Sequence, residues 1–147
     1  FFGDLSEQTA LLLGAGETIE LVARHLKESN IGNLIIANRT FDRAHKLATS
    51  VDGYAIRLEE IDAHLHEADI VIGSTGSPDS ILKHESVKTA LKKRKNRPMF
   101  MVDIAVPRDI DPAVAEFEDI YLYTVDDLQE VIQENLKSRQ QAALQAE

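Results

Sequence analysis

The stretch "LLLGAGETIELVARHL", Leu11 to Leu26, decides the reading of the fold. A wholly apolar run ends at Gly14, and beyond Gly16 the residues Leu21, Val22, His25 and Leu26 recur at helical spacing. Strand, glycine turn and helix in that order open a dinucleotide-binding unit. Gly14 permits the tight turn, and Gly16 lets the backbone approach a pyrophosphate with no side chain in the way. The helix start beyond supplies N–H groups and a positive dipole end. The third glycine of GxGxxG normally allows close packing of helix on strand. Ile19 stands there instead, so the helix is expected to sit farther away or to tilt. Glu17 complements the dipole in the first turn and need not face a ligand. Without its flanks, a GxG is no more than a strand-to-helix turn.

Working outward, short apolar runs alternate with helical patterns. Strands are expected at Thr9–Leu13, Asn33–Asn38, Tyr54–Leu58, Asp69–Ser74, Met99–Asp103 and Ile120–Thr124. Helices are expected at Glu17–Lys27, Phe41–Ser50, Leu58–Leu65 and His84–Lys93. Near-continuously apolar strands separated by helices point to a parallel sheet covered on both faces. The fold class is therefore α/β: a Rossmann-like, doubly wound, mostly parallel sheet.

The chain has 147 residues, enough for one domain with a single core. A net charge of -9 argues against a broad nucleic-acid surface. The one basic cluster, "KKRKNR" from Lys92 to Arg97, reads as the solvated end of a helix, where cations favour the dipole. The sequence contains no cysteine, so thiolate ligands and cysteine nucleophiles are excluded within it. No apolar run approaches the roughly 20 residues of a membrane span. A cytoplasmic setting is the expectation.

The second strand ends in "ANRT", Ala37 to Thr40, where an NAD site would place an acid for the ribose hydroxyls. Asn38 removes repulsion against a phosphate, Arg39 supplies a fork of charged donors and Thr40 a hydroxyl. Arg43 lies one turn farther on. The cluster fits the 2′-phosphate of NADP. A helix N-cap at Thr40 with a surface arginine beside it is compatible with the same residues. The fourth strand runs into "GSTGSP", whose small residues Ser74, Thr75 and Gly76 let a ligand approach the backbone. The fifth runs into "DIAVPRDIDP", which places Asp103 near the cofactor mouth and a stiff Pro107 beyond it. Arg108 and Asp109 are open to pairing with each other or with a neighbouring domain. The five histidines form no HExxH pattern, and no residue makes a persuasive acid, base or nucleophile.

After the last strand, Thr124 and Asp127 resemble a capping box, followed by an apolar stripe at Leu128, Val131, Ile132 and Leu136. The helical pattern continues to Glu147 with no glycine or proline to close it. Residues 1–123 are expected to form the cofactor domain and residues 124–147 the start of a longer connecting helix. The whole reads as the middle domain of a larger protein. The connecting helix is expected to be the least protected part of the chain.

The motifs "LLLGAGETIELVARHL", "IIANRT", "ADIVIGSTGSP", "MVDIAVPRDIDP" and "YLYTVDDLQEVIQENLKSR", in this order, resemble the glutamyl-tRNA reductase family. The resemblance covers essentially the entire chain, as that family's central cofactor domain. It implies NADPH as cofactor and a role in converting glutamyl-tRNA(Glu) to glutamate-1-semialdehyde in tetrapyrrole (porphyrin) biosynthesis. The family's phosphate turn falls on Gly14, Ala15, Gly16, Glu17, Thr18 and Ile19, so that Ile19 is ordinary for it. Its NRT element falls on Asn38, Arg39 and Thr40, and its fourth-strand loop on Ser74, Thr75 and Gly76. The resemblance also implies an N-terminal catalytic domain bearing a nucleophilic cysteine and the glutamyl-tRNA contacts, and a C-terminal domain that makes a homodimer. The next enzyme of the pathway is a further possible partner. The present chain is expected to be inactive by itself. Two rivals remain: the cofactor domain of shikimate dehydrogenase, with a similar glycine turn and NRT-like element, and a non-catalytic linking module.

Overall fold

The computed structural model describes residues 5–75, 80–105 and 109–124. Six strands form one sheet: β1 Thr9–Leu13, β2 Asn33–Asn38, β3 Tyr54–Arg57, β4 Ile70–Gly73, β5 Met99–Asp103 and β6 Ile120–Thr124. Their order is β3-β2-β1-β4-β5-β6, and every neighbouring pair is parallel. The connections carry α1 Glu17–Glu28, α2 Phe41–Ser50, α3 Ile61–His64 and α4 His84–Lys93. Short 3-10 turns flank α3 at Leu58–Glu60 and Leu65–Glu67, and another spans Pro112–Glu116.

Successive strand residues face opposite sides of the sheet, so each central strand feeds two cores. Leu11, Leu13, Val71 and Met101 pack with Ile61 of α3 and with Val87 and Leu91 of α4. Ala10, Leu12, Leu34 and Ile36 pack with Ile19 and Ala23 of α1 and with Ala44 and Leu47 of α2. Helices on both faces explain why β1 is apolar at every position from Ala10 to Leu13: all four side chains are fully buried. Burying each leucine contributes about 1.5–3 kcal/mol.

The expected strands and helices are present with small changes of boundary. β3 stops at Arg57, and the helix expected from Leu58 is a mixed 3-10 and α segment reaching Glu67. Leu21 belongs to the expected apolar stripe of α1 but is 59% exposed, because the buried face runs through Ile19 and Ala23. Ile19, at the position of the third glycine, is fully buried in one cluster with Ala10, Leu12 and Ala23. The connecting helix, with its capping box and stripe at 125–147, lies outside the described residues. So do Gly76, Pro107 and Arg108.

Candidate functional site

β1 has β2 on one side and β4 on the other, and the chain leaves these strands in opposite directions. That reversal opens a crevice at the carboxyl ends of β1 and β4, where ligands of doubly wound sheets bind. Gly14 stands at its floor with φ +116°, a conformation that favours glycine. Its N–H donates to the Ala37 carbonyl at 2.8 Å, and the Ser74 N–H donates to the Leu13 carbonyl at 3.0 Å. A Cβ at Gly14 would lie 3.3 Å from the Ser74 carbonyl oxygen and 3.4 Å from Cγ1 of Ile19. Gly14, Ile19 and Ser74 are thus brought together. Gly16 is different: a Cβ there would meet nothing within 4 Å. It precedes α1, whose first turn no side chain caps. Ala15, Gly16, Glu17 and Thr18 border this open space, which suits a phosphate approaching a helix N-terminus.

At the end of β2, the Asn38 side-chain amide donates to the Thr40 carbonyl at 3.1 Å and bends the chain into α2. Thr40 occupies the N-cap position but its side chain makes no capping bond, so the cap reading holds in position only. Arg39, Thr40 and Arg43 are exposed. Arg43 lines a groove of about 440 Å³ together with Ala15, Arg24 and Lys46. Arg57, the register partner of Asn38, lays its guanidinium 4.9 Å from the centre of the Phe41 ring. Sequence reasoning missed Arg24, Lys46 and Arg57. Lys46 lies one turn beyond Arg43, a visible signal; the other two arrive only through tertiary packing. In a chain of net charge -9, this is a local concentration of cations, partly offset by Glu20, which lines the same groove and pairs with Arg24 at 2.5 Å.

A larger groove, about 510 Å³, opens at the opposite end of the sheet beside Thr9, Asn33 and Tyr54. Size does not make it the better candidate, because the strand order places the switch point at the carboxyl ends.

Two aspartates organise the loops beyond β4 and β5. Asp103, expected near the cofactor mouth, stands at the end of β5 and turns into its own loop, accepting from the N–H groups of Ala105, Asp109 and Ile110 at 3.2, 3.2 and 2.9 Å. Asp109, fully buried, accepts from the Thr75 N–H at 2.7 Å and from the Thr75 hydroxyl. No local pattern signals this contact, since its partners lie 34 residues apart.

At the far end of the sheet the basic cluster is corrected. Arg94 is 3% exposed rather than solvated. Its guanidinium donates to Asp69 Oδ1 at 2.8 Å and to the carbonyls of His66, Arg97 and Pro98. Among the described residues, no group of three or more His, Cys, Asp or Glu side chains is placed to hold a metal ion. No helix among them is long and apolar enough to cross a membrane.

Strand order, glycine turn and switch-point crevice define a doubly wound α/β domain of dinucleotide-binding type. The chain belongs to the shikimate / quinate 5-dehydrogenase family, whose model matches residues 1–131. Along its whole length it is similar to glutamyl-tRNA reductases. It is 73% identical over 147 residues to that of Hydrogenovibrio crunogenus and 63% identical over 146 residues to that of Methylococcus capsulatus. These matches take in 100% and 99% of this chain but only 34% and 35% of those proteins. The chain thus spans about a third of the length of the curated relatives it matches. The solved glutamyl-tRNA reductase of Methanopyrus kandleri superposes with a TM-score of 0.85 at 37% identity, over 97% of this chain and 36% of that one. The resemblance read from the motifs therefore holds. The rival dehydrogenase survives as the name of the broader family.

Proposed function

We propose that this chain is the NADPH-binding domain of a glutamyl-tRNA reductase, an NADP-dependent oxidoreductase of tetrapyrrole biosynthesis. The observation that carries the reading is the placement of Asn38, Arg39, Thr40 and Arg43 at the end of β2, beside the open Gly14–Gly16 turn. That placement occurs in a chain 73% identical over its full length to such an enzyme.

When bound, NADPH supplies a hydride for reducing the activated glutamate. This chain's residues bind and orient. Gly14 and Gly16 keep the turn low, and Ala15, Glu17, Thr18 and Ile19 continue it into α1. Arg39 and Arg43 offer charged donors to a 2′-phosphate that an acidic residue would repel. Ser74 and Thr75 line the β4 side, and Gly76 follows them in the same sequence motif. The covalent chemistry falls to a catalytic domain, since this chain has no cysteine. On this reading residues 1–123 are the cofactor domain and residues 124–147 begin the connector. Glutamyl-tRNA(Glu) and the second protomer of a homodimer meet the other domains, in the cytoplasm.

Calorimetric titration with NADPH and NADH tests the reading. NADPH is expected to bind more tightly. Arg39→Ala should remove about 1.5–3 kcal/mol of NADPH binding while sparing NADH. Equal affinity for both cofactors in the unaltered chain would refute it.

A further inference from the structure

The loops beyond β4 and β5 are tied together more closely than a surface connection requires. The Asp109 carboxylate holds both the N–H and the hydroxyl of Thr75, the second residue beyond β4. The same residue's carbonyl accepts from the N–H groups of Ile81 and Leu82 at 2.6 and 2.9 Å. Its own N–H is held in turn by Asp103. A lone parallel bridge, Leu82 to Ile110, and a bond from the Asp111 N–H to the Leu82 carbonyl at 2.8 Å close the knot. Gly73 makes the approach possible: a Cβ there would lie 3.0 Å from Asp109 Oδ2 and 3.1 Å from its Cβ. Apart from the Asp103 bond, which closes a loop of six residues, these contacts join residues 27 to 36 positions apart, and they converge on Asp109 and its neighbours.

We infer that Asp109 is a positioning residue for the dinucleotide: it sets Thr75, and through it the β4-side wall of the crevice, against the half of the ligand remote from the 2′-phosphate. The inference rests on the cofactor reading above. Three features favour a role in binding over mere stabilisation. The Asp109 carboxylate holds the loop residue Thr75, and only its main-chain carbonyl ties to the core residue Leu82. It fixes both main chain and side chain of Thr75, leaving that residue one orientation. The Asn38–Arg43 cluster lies at the end of β2, on the other side of β1. The two halves of the crevice should therefore respond separately.

The test compares two ligands on the full chain. Adenosine 2′,5′-bisphosphate engages only the β2 side, whereas NADPH spans the crevice. Asp109→Asn and Thr75→Val are each expected to weaken NADPH about tenfold, the order of one charge-assisted hydrogen bond. Both should leave adenosine 2′,5′-bisphosphate unchanged. The double variant should be no weaker than either single one, since the two residues act through one contact. Asp111→Asn, two residues on, serves as the control: its main chain joins the knot, but its carboxylate accepts from the Ala113 N–H instead. Should Asp109→Asn fail to fold, Thr75→Val retains the side chain's shape and carries the comparison. Equal weakening of both ligands, or unaltered NADPH binding, would overturn the inference and leave the cofactor reading standing. An unaltered chain that binds neither ligand would overturn both.

Discussion

The two ends of the parallel sheet solve the same problem in opposite ways. At the amino ends, Asp69 takes the Thr9 N–H on one oxygen at 2.9 Å and the Arg94 guanidinium on the other. Arg94 reaches three carbonyls as well, so one side chain staples the starts of β1, β4 and β5. At the carboxyl ends, Asp103 and Asp109 face inward among main-chain N–H groups and the Thr75 hydroxyl. A cation ties together the β4 and β5 side of the first end. The second is shaped by donors that leave the glycine turn open beside it. A buried carboxylate is therefore no mark of a binding site until its partners are known. An anion matched to a guanidinium that itself donates to several carbonyls is a rivet; one that fixes a neighbouring loop is a template.

Arg94→Met should have the largest effect and should act on one side of this contrast only. Removing one partner of a buried pair leaves its aspartate uncompensated, at a cost of about 3–5 kcal/mol. Urea unfolding measures the loss, while NADPH affinity of the still-folded chain should stay unchanged. Weakened binding would mean that the ends are coupled and the contrast is false. Gly14→Ala comes next. Forcing a side chain to φ +116° against the Ser74 carbonyl should cost about 1–3 kcal/mol of stability. It should also abolish measurable cofactor binding, unlike the arginine change. Stability lost with binding intact would remove the turn from the site. The smallest effect belongs to Lys27→Ala. Its ion pair with Asp52, 3.0 Å long, joins two exposed side chains. Less than about 1 kcal/mol should be lost, with binding unaffected. A larger figure would show that surface pairing contributes to the rivet end.

The sheet was legible because buried parallel strands leave continuous apolar runs, and "TALLL" and "NLIIAN" have the bounds of β1 and β2. The glycine turn was legible because its geometry is local. Arg94 was not. Five cations within six residues look uniformly solvated, and its burial depends on the chain doubling back at Lys95 and Asn96, both with positive φ. Leu21 misled for a related reason: helical spacing identifies a face, and here the stripe continues past the edge of what the sheet covers. Asp109 was illegible because its partner lies 34 residues earlier in the chain. The space for it is made by the absence of a side chain at Gly73, which carries no pattern. The turn at Pro112–Glu116 does have a local signal. Asp111 caps it and Pro112 starts it, yet five residues are too few to establish a helical period.

The pairing of β1 with β4 has a consequence for the order in which this molecule is made. β1 lies at the centre of the sheet, but its β4 partner follows 60 residues later, the separation of the register partners Ala10 and Ile70. A ribosome adding about 5–20 residues per second leaves that edge of β1 open for roughly 3–12 s. During this interval β1, β2 and β3 can pair, and α1 and α2 can cover one face. Leu11 and Leu13, on the other face, must wait for the partners that α3 and α4 bring. The Ser74 carbonyl that crowds Gly14 also arrives in the second instalment. The nascent chain therefore carries its glycine turn early but completes the crevice late, and the edge of β1 is where a stray strand would do most harm.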